Sequence, residues 1–124
     1  DTSATKWMVR ELSKHSRESL VEFFTRWKGR LLFGSDIVSD DRHLQDHSNQ
    51  WAFDQYASRY YALRTLFETS YKGESPIADP DLALLKPEKY RDLDAPVLNG
   101  INLPDDVIAS LYHGAATELF RQYF

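Results

Sequence analysis

The stretch Gly29-Arg30-Leu31-Leu32-Phe33-Gly34-Ser35-Asp36 limits what this chain can become more than any other. An apolar run this short, closed by glycine on both sides, suits a buried strand better than a helix. The sequence before it is helical in character. Lys6 to Lys14 reads as a short helix with Trp7, Met8 and Leu12 as its apolar positions. Ser16 then has the chemistry of an N-cap, and Glu18 suits the helix dipole in the first turn. Leu20, Phe23, Phe24 and Trp27 follow at i, i+3, i+4 and i+7, and Gly29 is placed to end that helix. Helix, glycine, strand and helix is the rhythm of a parallel α/β protein, so one buried strand is predicted at about 30–34 in a mostly helical chain.

Beyond a polar loop, Ser48 can cap a long helix through about Thr69. Ala52, Tyr56, Leu63 and Phe67 mark one side of it; Phe53, Tyr60 and Leu66 widen that side. Residues 70–103 hold Pro76, Pro80, Pro87 and Pro96, with Gly73 and Asn99-Gly100, and read as a long structured connection. Leu82 to Leu85 adds one helical turn. A connection of this length in a small domain is more often functional or contact-making than idle. Pro104 opens a last helix with Asp105 and Asp106 beside it, Val107, Ile108 and Leu111 as its buried face, and Gly114 as a bend before Leu119 and Phe120. A single strand cannot make a sheet. Either Val97 to Ile101 supplies a weak partner, or the partners lie in sequence outside this chain.

The 124 residues amount to one segment, 42% hydrophobic and 14% aromatic, which excludes a disordered chain. Net charge is −4, split as +3 over residues 1–33 and −7 over the rest. No basic stripe for phosphates results, so nucleic acid is excluded as the expected partner. No apolar run approaches the roughly twenty residues that span a membrane. With no cysteine, disulfides and thiolate metal sites are excluded, and a cytoplasmic location is the default expectation. The chain opens on Asp1 without a signal-peptide pattern and is read as a piece of a longer protein.

Taken bare, Gly34-Ser35-Asp36 is an ordinary turn or cap. A carboxylate just past the carboxyl end of a strand is also where parallel α/β folds hold ligands, and there it can ligate a metal or take a proton from water. The stretch Leu31-Leu32-Phe33-Gly34-Ser35-Asp36 resembles the last barrel strand of the metal-dependent amidohydrolase superfamily. The branch it is most similar to contains amidohydrolase-type hydrolases and carboxymuconate-semialdehyde-type decarboxylases. Asp1-Thr2-Ser3 resembles the end of that family's seventh strand, and Leu103 to Phe120, reading LPDDVIASLYHGAATELF, resembles its closing helices. The resemblance covers roughly the final third of a TIM-type (β/α)8 barrel of about 250 residues or more. It implies that Asp36 is both a metal ligand and the general acid/base, with zinc or a similar divalent ion as cofactor. The implied substrate is a small carboxylate, amide, ester or lactone, turned over by hydrolysis or decarboxylation. The family's His-x-His and mid-barrel histidines are absent, so this segment alone is expected to be inactive and to need the remainder of the barrel or another chain. Gly114-Ala115-Ala116 stands where the family often has asparagine, and residues 70–103 exceed the usual connection.

His43 and His47 raise a second metal hypothesis, since histidines at i and i+4 share a helix face. Leu44 fails the H-E-x-x-H pattern, and Asp46 is one methylene short of the inverted H-x-x-E-H form. A third ligand would have to come from Glu68, Glu74 or Asp79. Exposed loop residues are the simpler reading of both histidines; at a barrel mouth, either could touch substrate. His15 and His113 read as solvent-facing or capping groups. Arg59 and Arg64 read as surface ion-pair partners, with a substrate carboxylate as the alternative. Ser35 has no adjacent histidine to make it a nucleophile. The rival to an enzyme is a non-enzymatic helical module whose aromatic helix and proline-containing stretch bind another protein, and exposed strand edges could also drive homo-oligomers.

Overall fold

The computed structural model describes residues 1–37, 49–121 and 123. In chain order its elements are α1 (Thr5–Leu12), α2 (Arg17–Arg26), α3 (Asn49–Glu68), β1 (Lys72–Glu74), α4 (Asp81–Leu85), β2 (Val97–Asn99), α5 (Asp105–Ala109), a π-helical turn (Ser110–Gly114) and α6 (Ala115–Phe120). At the coarse level this is α/β: mostly helical, with one two-stranded sheet among the described residues. β1 and β2 pair antiparallel, Gly73 opposite Leu98.

Helix α2 begins as its sequence requires. Ser16 is extended and its Oγ accepts from the Ser19 amide at 3.2 Å, satisfying one of the first-turn donors. The helix stops at Arg26, and Gly29 takes the left-handed conformation, φ 81°, in the turn that follows. Leu20 and Phe24 are buried, whereas Phe23 and Trp27 are more than 40% exposed. The expected four-residue stripe is therefore half as wide as its spacing implied. Along α3 the buried residues are Ala52, Ala62, Leu63, Thr65, Leu66 and Phe67; Phe53 and Tyr60 face outward. Ser48, the expected cap of α3, lies outside the described residues.

The core gathers Val9 of α1, Leu20 and Phe24 of α2, and Ala62, Leu63, Leu66 and Phe67 of α3. Leu98 of β2 joins them, with Ile101, Leu103, Val107 and Leu111 from the segment beyond. The rings of Phe24 and Phe67 meet edge to face, 5.5 Å between centroids. A helix ends with carbonyls that lack intrahelical donors, and here they are answered from a distance. Ile101 N–H donates to Leu66 C=O at 2.6 Å and Leu103 N–H to Phe67 C=O at 2.8 Å. Gly100 makes this docking possible, because any Cβ there would collide with the Thr69 carbonyl oxygen. Residues 70–103 are thus not a bare connection: they supply both strands, α4 and the cap of α3.

The strand expected at 30–34 is not formed. Residues 31–35 are half-buried and belong to no strand, since their hydrogen bonds do not make a ladder. Thr2 N–H donates to Leu32 C=O at 3.1 Å. The next rung is made by the Thr2 hydroxyl, which donates to Gly34 C=O and accepts from Gly34 N–H, both at 2.8 Å. On the other side, Phe33 N–H finds the Leu111 carbonyl at 3.0 Å. That carbonyl belongs to the π-helical turn, where Ala115 N–H reaches back to Ser110 C=O instead of Leu111. A side chain and a helix carbonyl thus replace the neighbouring strands. Val97 to Ile101, the expected alternative partner for this run, instead contributes Val97–Asn99 to pair with Lys72–Glu74.

Candidate active site around Asp36

Asp36 sits one residue past this segment, with φ 54°, a conformation that aspartate tolerates better than most residues. The residues leading to it are fixed by two threonines. Thr2 clasps Gly34 as described, and Thr5 Oγ1, at the start of α1, donates to Ser35 C=O at 2.8 Å. Residues 1–5 and 32–35 therefore run side by side in the same direction, joined through α1 and α2. The Asp36 side chain itself is 57% exposed. Among the described residues it pairs with Arg59 of α3, Nη1 to Oδ2 at 3.4 Å, a long and solvent-screened ion pair.

Asp36 borders an open cavity of about 560 Å³ whose other walls are Ser3, Ala4, Lys6, Trp7 and Asp81. Asp81, the first residue of α4, accepts from Trp7 Nε1–H at 2.6 Å and lies 3.6 Å from Lys6 Nζ. Asp1 folds back on its own turn, its Oδ1 accepting from the Ser3 amide and hydroxyl. The cavity therefore offers two carboxylates, one ammonium and an indole face. Such a set can bind a small polar molecule and exchange a proton with it.

For a divalent ion the fit is incomplete. Asp36 is one oxygen donor, and no group of three or more His, Cys, Asp or Glu that could hold a metal occurs among the described residues. His43 and His47 lie outside the described residues. Of the third ligands considered for them, Asp79 is fully buried against Arg10, 2.6 Å from its Nη1. Glu68 is bound by both Arg64 Nε and Nη2, at 2.8 and 3.0 Å, and by the Tyr112 hydroxyl at 2.8 Å. The Arg64 hydrogen bonds hold Glu68 below its ordinary carboxylate value; burial opposes this and Tyr112 adds to it. Burial, then the bond to Glu68, pushes the Tyr112 hydroxyl up. Glu74 stands exposed on β1. Glu68 and Asp79 are thus committed to arginines.

His15 and His113 are exposed, as expected. Arg64 and Arg59 are both ion-paired, also as expected, though the partner of Arg59 is Asp36 itself. Sequence reasoning missed Lys6, Trp7 and Asp81, which come from two elements far apart in the chain. It also missed Thr2 and Thr5, whose only signal was hydroxyls close to the residues compared with a strand end. No helix among the described residues is long and apolar enough to cross a membrane. No protein-family model matches this chain, nor does any curated protein or solved structure.

Proposed function

We propose that this chain is the C-terminal part of a metal-dependent, amidohydrolase-like (β/α)8 barrel of the cytoplasm, with Asp36 as metal ligand and general acid/base. The observation that carries the reading is the parallel course of residues 1–5 and 32–35. Two segments running side by side and joined by helices, with a carboxylate just past the second and a cavity beside it, resemble the ligand-binding end of a strand–helix–strand unit. Zinc or a similar divalent ion is the cofactor the resemblance implies; its other ligands would come from beyond the described residues. The role of Asp36 is to accept a proton at its exposed Oδ atoms and return it to the leaving group. Lys6 and Arg59 are cations beside Asp36 that suit the implied substrate class, a small carboxylate, amide, ester or lactone.

The test uses the full-length protein, assayed for bound metal and for turnover of lactones, amides, esters and carbon dioxide release. Asp36→Asn is expected to lower turnover by about 10²-fold or more and to reduce bound metal. Unchanged metal content together with unchanged turnover would sink the assignment.

A second reading has its own observation. Phe53 and Tyr61 on α3 are each more than 60% exposed, an aromatic surface suited to another protein. Under that reading the 124-residue chain unfolds cooperatively as a monomer or a defined dimer. Under the barrel reading it is poorly folded or heterogeneous in size until the rest of the barrel is supplied.

A further inference from the structure

We propose that a second cavity, walled by α1, α4 and the segment leading into β2, binds a small organic carboxylate with an apolar body. It encloses about 260 Å³, close to the lower end of the volumes of small-molecule sites. Arg10, Lys14 and Lys86 contribute the cations of its lining; Leu82, Leu85 and Tyr90 contribute apolar and aromatic surface. No carboxylate lines it among the described residues. Two of these cations are partnered by acids that do not line the cavity. Asp79 holds Arg10 Nη1 at 2.6 Å, and Glu11 holds Arg10 Nε at 2.8 Å and Lys14 Nζ at 2.6 Å.

The arrangement preorganises Arg10, whose side chain is only 11% exposed, and leaves its Nη2 edge without a hydrogen bond among the described residues. Lys86 has no ion pair among the described residues. An anion bound here would gain donors already fixed in position and would neutralise a lysine that no acid offsets. The remaining wall is hydrocarbon and a phenol ring, which excludes a compact, fully hydrated anion such as phosphate as the preferred occupant. A single carboxylate on an aryl or alkyl body matches both halves of the cavity. This site is built from different residues than the Asp36 cavity and stands independently of it.

The probe is 3-phenylpropionate, titrated into the full-length protein while amide chemical shifts are followed, with 3-phenylpropanamide as its uncharged twin. Saturable shifts are expected at Leu82, Leu85 and Tyr90, with the acid binding at least roughly tenfold tighter than the amide. Lys86→Glu is expected to weaken the acid by about tenfold or more, Lys86→Arg to preserve it, and added salt to weaken it. The proposal is overturned by an absence of saturable shifts, by equal binding of acid and amide, or by Lys86→Glu leaving the affinity of the acid unchanged.

Discussion

The C-terminal end of α3 and the segment that carries Asp36 are both tied to distant parts of the chain, but by different means. At α3 the last carbonyls receive backbone donors from Ile101 and Leu103, and the surrounding side chains Leu66, Phe67, Ile101 and Leu103 are buried. At Asp36 the ties are one backbone bond from Thr2, the hydroxyls of Thr2 and Thr5 and one helix carbonyl, and every residue from 31 to 35 is half-buried. The first region draws on hydrophobic burial and hydrogen bonds together. The second combines hydrogen bonds from the buried Thr2 and Thr5 with partial burial of Leu31 and Phe33 against the core. Full burial is thus concentrated at the α3 corner and falls off toward the exposed Asp36 carboxylate.

The sharpest way to test this contrast is to remove apolar volume from the firm region. Phe67→Ala deletes a fully buried ring and should cost about 4 kcal/mol in chemical denaturation. A loss under about 1 kcal/mol would mean that the α3 corner is not the centre of stability. Gly100→Ala follows, since its new methyl group meets the Thr69 carbonyl; about 2 kcal/mol is expected, with faster hydrogen exchange at Ile101 and Leu103. Thr2→Val keeps the shape but leaves Gly34 N–H without its acceptor, for about 1 kcal/mol and a local rise in exchange at Gly34. If that variant destabilised the chain as much as Phe67→Ala, the two regions would be one cooperative unit and the contrast would fail.

The smallest effect concerns pH. Glu68, whose ordinary value is 4.5, is held lower in the folded chain chiefly by Arg64. A depressed carboxylate contributes stability that is present above its unfolded value and lost as pH falls through the folded one. The denaturation midpoint should therefore decline on acidification below 4.5, and Arg64→Ala should flatten part of that decline. An identical acid limb in the variant would assign the loss to other carboxylates.

Helix starts were the most legible part of the sequence. Ser16 caps α2 through a purely local hydrogen bond, and Asp105–Ala109 forms directly after Pro104, the proline that foretold it. Faces were less legible. Phe23 and Trp27 share the spacing of Leu20 and Phe24, but burial depends on what packs against the helix, which spacing does not encode. Leu31 to Phe33 have the composition of a strand, yet a strand also needs a backbone neighbour, and Thr2 answers Gly34 with its hydroxyl. Lys72-Gly73-Glu74 has no apolar alternation and becomes a strand only because Val97-Leu98-Asn99 lies opposite. Around Asp36, the turn was readable and its ionic partner was not: Arg59 was visible as a surface cation, but its meeting with Asp36 depends on where α3 lies.

The π-helical turn has a consequence for the order in which the chain can take shape. Its Leu111 carbonyl is the acceptor for Phe33 N–H, and its Tyr112 ring packs edge-on against Phe33 at 5.0 Å. On a ribosome adding roughly 5–20 residues per second, Phe33 emerges several seconds before either contact exists. Through that interval its amide is left to water and its ring lacks the Tyr112 face, while Thr2 is already in reach. The segment before Asp36 can therefore be gripped from one side early, and closed from the other only once the final helices have been made.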